Sequence, residues 1–510
     1  MAPARRPAAP WDLPVLLVVV AIAVVVRGRP LVELDRFGLM SYDQAAYFVG
    51  GRALTRGYLP YKDFVHLQPP GVLVALAPFA LIGSWGFTIA KALVVALGAA
   101  STALLWRIAR PWAGPRGAVV AALVYALNRS SVGAHRYVLI DPFVTVLLLT
   151  AVLLDRRRVS ERRCTRRDTV VGVLLGLAVG FKFSALVAVV AFVIALSVVE
   201  RRRLARIAGG AGLGIAALVG PFALLSQGSL VDQAVWSQAG RNRSVGPVDR
   251  LLSSFWFAGK PPAEHEGLAV ACVVIALMVL VGWCLASRSI LGVMTAIWLT
   301  LGTGFVLAAP QFYEHYGELL APPLALAVGG FVASSLSARR PRPARVLPWA
   351  AGGLATVVVI GGGLSTAVRP LPPPFLHAPG EYQENTRTAL ATIPAHDCVI
   401  TDSPEIVLAL PNLLGFSVAG DGPTVDPFAA AVVAHAPPPV APGSLERFER
   451  SMARCVWFAA PRYWSARVHY PGWSNEMQAR FARGHELVST TPGMELWRSV
   501  TVTQKRDSQQ

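Results

Sequence analysis

The sequence predicts an α-helical polytopic membrane protein of about eleven transmembrane helices, followed by a small C-terminal α/β domain outside the membrane. Three observations carry that prediction. Of 510 residues, 54% are hydrophobic and only 15% charged, where soluble proteins carry about 25% charged residues. The apolar residues gather into segments near the ~20 residues that a helix needs to cross a ~30 Å hydrocarbon core. The excess positive charge, +18, lies mostly in short runs between those segments, which argues against a nucleic-acid partner. The same composition excludes an ordinary cytosolic enzyme and a disordered chain.

In chain order the expected spans are 13–27, 86–106, 117–131, 138–154, 169–181, 183–199, 207–225, 267–286, 289–308, 319–337 and 346–366. The first could pass for a secretory signal, but it ends in Arg27-Gly28-Arg29-Pro30 without a small-residue cleavage site, so it reads as a retained span. Basic clusters fall at Arg5/Arg6, Arg107/Arg110/Arg116, Arg156 to Arg167, Arg201/Arg202/Arg203/Arg206 and Arg339/Arg340/Arg342/Arg345. These spans put all five clusters on one side. That side is then cytoplasmic, with the N-terminus inside and the C-terminal domain extracytoplasmic in the plasma membrane. Segment 69–83 is short and holds Pro78; counting it as a crossing would turn a basic cluster outward. It reads as an interfacial or re-entrant piece on the outer face. Joining 169–181 to 183–199 would strand Lys182 in the bilayer, so two short crossings are expected there.

The membrane domain is expected over 1–368 and the extracytoplasmic domain over 369–510, beginning at the linker Arg369-Pro370-Leu371-Pro372-Pro373-Pro374. Within the latter, β-like runs occur at Cys398–Thr401 and Cys455–Ala459, with helical patterning near Ala389 and at Ser474–Arg483. Cys398 and Cys455 each open a β-like run, so neighbouring strands could join them in a disulfide; two buried free thiols are the alternative. No P-loop, dinucleotide fingerprint or metal-ligand spacing is evident. No cofactor is expected, a divalent metal remaining open.

The first outer loop concentrates the residues that carry chemistry. It reads Ser41-Tyr42-Asp43-Gln44-Ala45-Ala46-Tyr47, then Gly57-Tyr58-Leu59-Pro60-Tyr61-Lys62-Asp63-Phe64 and His66-Leu67-Gln68-Pro69-Pro70-Gly71. Ser41 can cap a helix running to about Arg56, with Asp43 in its first turn. Alone, Asp43 could simply complement the helix dipole. Asp141 could likewise cap a span, Lys182 snorkel to the interface, His315 pack there, and the tyrosines form an aromatic belt.

The order of these elements resembles the GT-C superfamily of integral-membrane glycosyltransferases. Members related to protein mannosyltransferases and lipid A aminoarabinose transferases carry an Asp-Glu pair, then Gly-x-x-Pro-Tyr-x-Asp-Phe and His-x-x-Pro-Pro. Asp43, Tyr47, Gly57, Pro60, Tyr61, Asp63, Phe64, His66, Pro69 and Pro70 match in order. Gln44 stands where Glu is usual, and Gln68 where Lys is common. His135-Arg136-Tyr137 with Asp141-Pro142, Gly180-Phe181-Lys182, and Phe312-Tyr313-Glu314-His315-Tyr316 with Pro322 resemble later family segments. All fall on the expected outer face.

The resemblance implies sugar transfer from a polyprenyl-phosphate donor to a glycan, lipid or protein acceptor, with inversion at the anomeric centre. It implies Asp43 as the base, with Asp141 next in line. It implies that Lys182, Arg136 and His315 meet the phosphate, and that His66, Tyr316 and Asp63 line the substrate site. Two other classes stay open on the sequence: a transporter or flippase, and a non-catalytic scaffold of envelope assembly. A transporter should show paired halves with broken helices around a midplane site, and no such pairing is seen.

Overall fold

The computed structural model describes residues 11–33, 42–155, 161–239, 245–255, 263–337, 388, 392–393, 399–401, 455–461, 475–490 and 494–500. Helix α1 (Asp12–Glu33) touches both ends of the membrane part and so orients the helices packed on it. Near its start Asp12 accepts hydrogen bonds from Arg110 at 2.7 and 3.1 Å. Two-thirds along, the buried Arg27 donates to the carbonyls of Tyr125 (3.1 Å) and Ala126 (2.7 Å). A Cβ on Gly98 would lie 2.6 Å from the Arg27 Cδ. Residues 98 and 126 therefore sit level with each other, and residue 110 lies about 22 Å away at ~1.5 Å per helical residue. The long helical run α4 (Gly86–Leu127) must turn back between them. It does so at Gly114, whose φ of 70° suits glycine, between Pro111 and Pro115. The cluster Arg107/Arg110/Arg116 thus lies at that turn, which defines a basic end of the molecule.

The opposite end holds the candidate site. Two short helices lie there, α2 (Tyr42–Thr55) and α3 (Gly71–Ala80), packed on each other. At 10 residues α3 spans only about 15 Å and leads directly into α4, which starts toward the basic end. On its own it is too short for a ~30 Å hydrocarbon core.

Asn128 caps α5 (Arg129–Arg136), its Oδ1 accepting from the Ser131 N–H at 3.0 Å. The chain then extends to Asp141, which opens α6 (Asp141–Asp155) with Pro142 behind it. Helix α7 (Glu161–Phe181) returns, a turn at Lys182–Ser184 comes next, and α8 (Ala185–Val199) leads to α9 (Leu204–Leu225). Gly172, Gly176 and Gly180 on α7 face Ile207, Ala211 and Leu218 on α9 in rising order. The two helices therefore run parallel, so α8 must carry the chain back between them, as two short crossings require. The small residues let the backbones approach closely. At the basic end Arg203 pairs with Asp155, Glu200 and Asp168, and Arg206 with Asp168.

After α10 (Pro247–Phe255), helices α11 (Glu266–Ala286), α12 (Ile290–Ala308) and α13 (Ala321–Ser337) complete the described membrane part. Trp283 on α11 and Trp112 near the Gly114 turn both touch Gly330 on α13, which marks the basic end again. By length and apolarity alone, five described helical runs suffice to cross a membrane: 12–32, 86–127, 201–225, 263–286 and 290–308. Helices α6 and α8 have 15 residues and α13 has 17. The expected span 346–366 lies outside the described residues, as do the clusters at Arg5/Arg6 and Arg339–Arg345.

Toward the C-terminus, β1 (Val399–Thr401), β2 (Trp457–Pro461), β3 (His485–Thr490) and β4 (Met494–Ser499) form one mixed sheet in the order β1-β2-β4-β3. β1 runs parallel to β2, and the other pairs are antiparallel. Helix α14 (Asn475–Gly484) packs Phe481 edge-to-face against Phe458 and Trp497, with ring centroids 4.9 and 5.5 Å apart. Cys455 is disulfide-bonded; Cys398 and Ala389 lie outside the described residues.

Candidate active site

Asp141 and Lys182 meet at the end opposite the basic clusters. Asp141 is delivered by the first turn of α6, and Lys182 by the turn that joins α7 to α8. Lys182 Nζ donates to Asp141 Oδ1 at 2.8 Å and to Oδ2 at 3.1 Å. Both side chains are only 8% exposed. A buried ion pair is weak evidence for stability, since desolvating two charges offsets most of their attraction. Here the pair is better understood by what else surrounds it. Lys182 Nζ lies 4.6 Å from the centroid of the Tyr316 ring, and His315 Nε2 is 4.0 Å from Asp141 Oδ2. Tyr313 stacks on His315, with centroids 5.6 Å apart.

A 3-10 turn (Glu314–Leu319) between α12 and α13 carries His315 and Tyr316. Burial lowers the His315 imidazole to about 4, helped by Lys182 and opposed by Asp141. It therefore enters the site neutral at pH 7, as a hydrogen-bonding group rather than a cation. The structure brings together Asp141, Lys182, His315 and Tyr316, which the sequence expected in one place.

Asp43 stands half-buried in the first turn of α2; Ser41, its expected cap, lies outside the described residues. Its neighbour Gln44 is buried, and the Gln44 Oε1 accepts from the Val138 N–H at 3.4 Å. That bond stitches the start of α2 to the stretch leading into Asp141.

Three other expected residues are placed differently. Arg136 donates from Nε and Nη2 to the Val26 carbonyl at 3.0 and 2.9 Å, tying α5 to α1. Asp63 accepts from the Leu59 N–H at 2.7 Å, closing the turn that holds Tyr61 at a φ of 68°. His66 packs between Tyr47 and Tyr61, with centroids 6.2 and 5.9 Å away. Burial lowers the His66 imidazole to about 4, and its Nε2 has no hydrogen-bond partner among the described residues.

Sequence reasoning passed over the residues that hold this arrangement. Gln233 donates to the Tyr61 carbonyl at 3.0 Å and accepts from the His66 N–H at 3.2 Å; Gln238 donates to the Leu67 carbonyl at 2.7 Å. Glu318, buried at the end of the 3-10 turn, accepts from the Tyr125 and Thr145 hydroxyls at 2.8 and 2.9 Å. The available signal was a lone acidic residue just ahead of an apolar helix, which membrane proteins rarely keep without a use. Among the described residues, no three His, Cys, Asp or Glu side chains converge as a metal would need.

Part of the sequence and the whole fold have counterparts among known proteins. The family model for dolichyl-phosphate-mannose-protein mannosyltransferases matches residues 68–224, which run from the loop ahead of α3 through Asp141 and Lys182 to α9. ArnT from Cupriavidus metallidurans, solved bound to undecaprenyl phosphate, superposes with a TM-score of 0.63 at 14% identity, covering 96% of this chain and 98% of that one. Its apo form gives 0.62 with the same identity and coverage. The Archaeoglobus fulgidus oligosaccharyltransferase in its apo form gives 0.54 at 11% identity, covering 89% of this chain and 70% of that one. No curated protein sequence matches the chain significantly. The chain therefore shares its fold with ArnT and with the oligosaccharyltransferase.

Proposed function

We propose that this chain is a membrane glycosyltransferase that moves a sugar from a polyprenyl-phosphate donor to an extracytoplasmic acceptor, with inversion. The observation that carries the reading is the buried Lys182–Asp141 pair under Tyr316 and His315, at the end away from the basic clusters. Retention of positive charge in the cytoplasm turns that end outward. An ArnT structure that holds undecaprenyl phosphate supports the donor class. In the reaction, the acceptor oxygen bonds to the anomeric carbon while the bond from that carbon to the phosphate oxygen breaks. The polyprenyl phosphate leaves with the electron pair, and the acceptor's proton passes to the Asp43 carboxylate. Lys182 exchanges Asp141 for the phosphate and neutralises the charge that grows on it. His315, neutral, and Tyr316 shape the pocket around the ammonium.

The test is transfer by the purified protein in proteoliposomes, using polyprenyl-phosphate sugars labelled in the sugar. Label is expected to leave the lipid and appear on envelope acceptors, with inverted anomeric configuration. Donors that remain intact across mannosyl, arabinosyl and aminoarabinosyl lipids would overturn the reading.

A further inference from the structure

Glu318 belongs to no part of the chemistry above, yet it is buried beside it. The 3-10 turn carrying His315 and Tyr316 has two acidic residues, one at each side of that pair. Glu314, exposed, pairs with Arg129 at 2.8 Å. Glu318 turns inward, and its Oε1 receives both the Tyr125 hydroxyl, near the end of α4, and the Thr145 hydroxyl. Thr145 is one helical turn beyond Asp141 on α6, so the turn that faces the Asp141–Lys182 pair is tied to the same helix that delivers Asp141. Next to Glu318, Gly317 is seated so closely on the Ser130 side chain that a Cβ would collide with it. The turn is thus pressed onto α5 by Gly317 and anchored to α4 and α6 by Glu318. Glu318 Oε2 is buried without a hydrogen-bond partner among the described residues, so one oxygen carries both bonds.

We propose that Glu318 is a positioning residue, whose carboxylate fixes the turn bearing His315 and Tyr316 over the Asp141–Lys182 pair by joining it to Tyr125 and Thr145. The proposal rests on the glycosyl-transfer reading and deepens it. It also explains why a hydrophobic residue does not stand at the mouth of α13. Hydroxyls donate more strongly to a charged acceptor than to a neutral one, so the clamp tightens when Glu318 ionises. The titratable groups facing it are Arg27 from α1, Tyr125 from α4, His135 beside Tyr125, and Asp141 from α6. Burial, opposed by the Tyr125 and Thr145 hydroxyls and Arg27 and aided least by Asp141, raises the Glu318 carboxyl to about 7. The clamp is then tight above about pH 7 and looser below.

Two readouts test this, one of them independent of catalysis. Below pH 7, hydrogen–deuterium exchange of segment 312–320 is expected to quicken in Glu318→Leu, Thr145→Val and Tyr125→Phe, and to stay near wild type in Glu318→Gln. The single-hydroxyl variants keep the test decisive where Glu318→Leu does not fold. In the transfer assay, Thr145→Val and Tyr125→Phe are expected to raise the donor KM about tenfold with a smaller change in kcat, a cost of misplacement rather than of lost chemistry. Wild type is expected to show a step in turnover near pH 7, higher on the alkaline side, which Glu318→Gln lacks. Unchanged exchange in the leucine and hydroxyl variants would overturn the proposal whatever the assay shows, as would a Glu318→Gln profile that keeps the step. A wild type that transfers nothing, with exchange behaving as expected, would overturn the glycosyl-transfer reading and leave the clamp standing.

Discussion

Asp43 can be separated from its structural surroundings because Asn fits the same turn. Asp43→Asn keeps the size and polarity at the head of α2 but cannot accept the acceptor's proton at neutral pH. Turnover is expected to fall roughly 10²–10⁴-fold, while stability changes by well under ~1 kcal/mol. Asp63→Asn serves as the contrast: Asp63 closes a turn through the Leu59 N–H, so it should cost stability more than turnover. Near-normal transfer by Asp43→Asn would move the base to Asp141. Residues of this kind were legible in the sequence because each stands in a short motif that resembles a segment of the GT-C superfamily. Asp141, Lys182, His315 and Tyr316 were found that way, far apart along the chain, and the structure brings them together. Arg136 was in such a motif too, but its guanidinium spends two N–H groups on the Val26 carbonyl. No local pattern announces that partner. Glu318 was illegible for the same reason: its hydroxyl partners lie 193 and 173 residues away.

At the scale of elements, close backbone approach decides the architecture around Lys182. A Cβ on Gly71, at the start of α3, would lie 2.7 Å from the Gly180 carbonyl oxygen and 2.8 Å from the Phe181 ring. Gly71→Ala must therefore push α3 off the end of α7, two residues before Lys182. A loss of about 1–3 kcal/mol is expected from such overpacking, read as a fall in Tm, together with reduced transfer. Gly209→Ala is the control, because nothing lies within 4 Å of a Cβ there; it should be neutral or mildly stabilising. In the C-terminal sheet, β1 runs parallel to β2 and Cys455, just ahead of β2, is disulfide-bonded, so a Cys398–Cys455 bond is expected. A peptide map without reductant should contain the joined 398 and 455 peptides, and their separate recovery would exclude the bond. Hydropathy located the cores of the membrane elements but not their ends, because it senses depth in the bilayer rather than helix. Helix α7 starts at Glu161 instead of 169, since its arginine-rich first turns stay helical past the apolar stretch. The span expected over 117–131 breaks at Asn128, whose side chain caps the next helix. β3 and β4 were not foreseen: β3 holds only two apolar residues, Leu487 and Val488, and four of its six residues are exposed.

For the whole molecule, the long-range pairs place the turn at Gly114 and the Arg203–Asp168–Asp155 cluster at one end and Asp141–Lys182 at the other. The positive-inside rule assigns the first end to the cytoplasm. Cys164, on α7 near that end, should resist an impermeant thiol reagent in intact cells when it is the sole cysteine. Labelling there before lysis would invert the topology and put the site inside. The central claim is that Lys182 receives the donor's phosphate in place of Asp141. Undecaprenyl phosphate binding to the purified protein, compared between wild type, Lys182→Met and Asp141→Asn, tests it most directly. Removing Lys182 is expected to weaken binding by about tenfold or more, on the scale of a lost charge-assisted contact. Removing the competing Asp141 carboxylate should leave binding as tight as wild type or tighter. Equal affinity in Lys182→Met, or a loss in Asp141→Asn matching that of Lys182→Met, would contradict it.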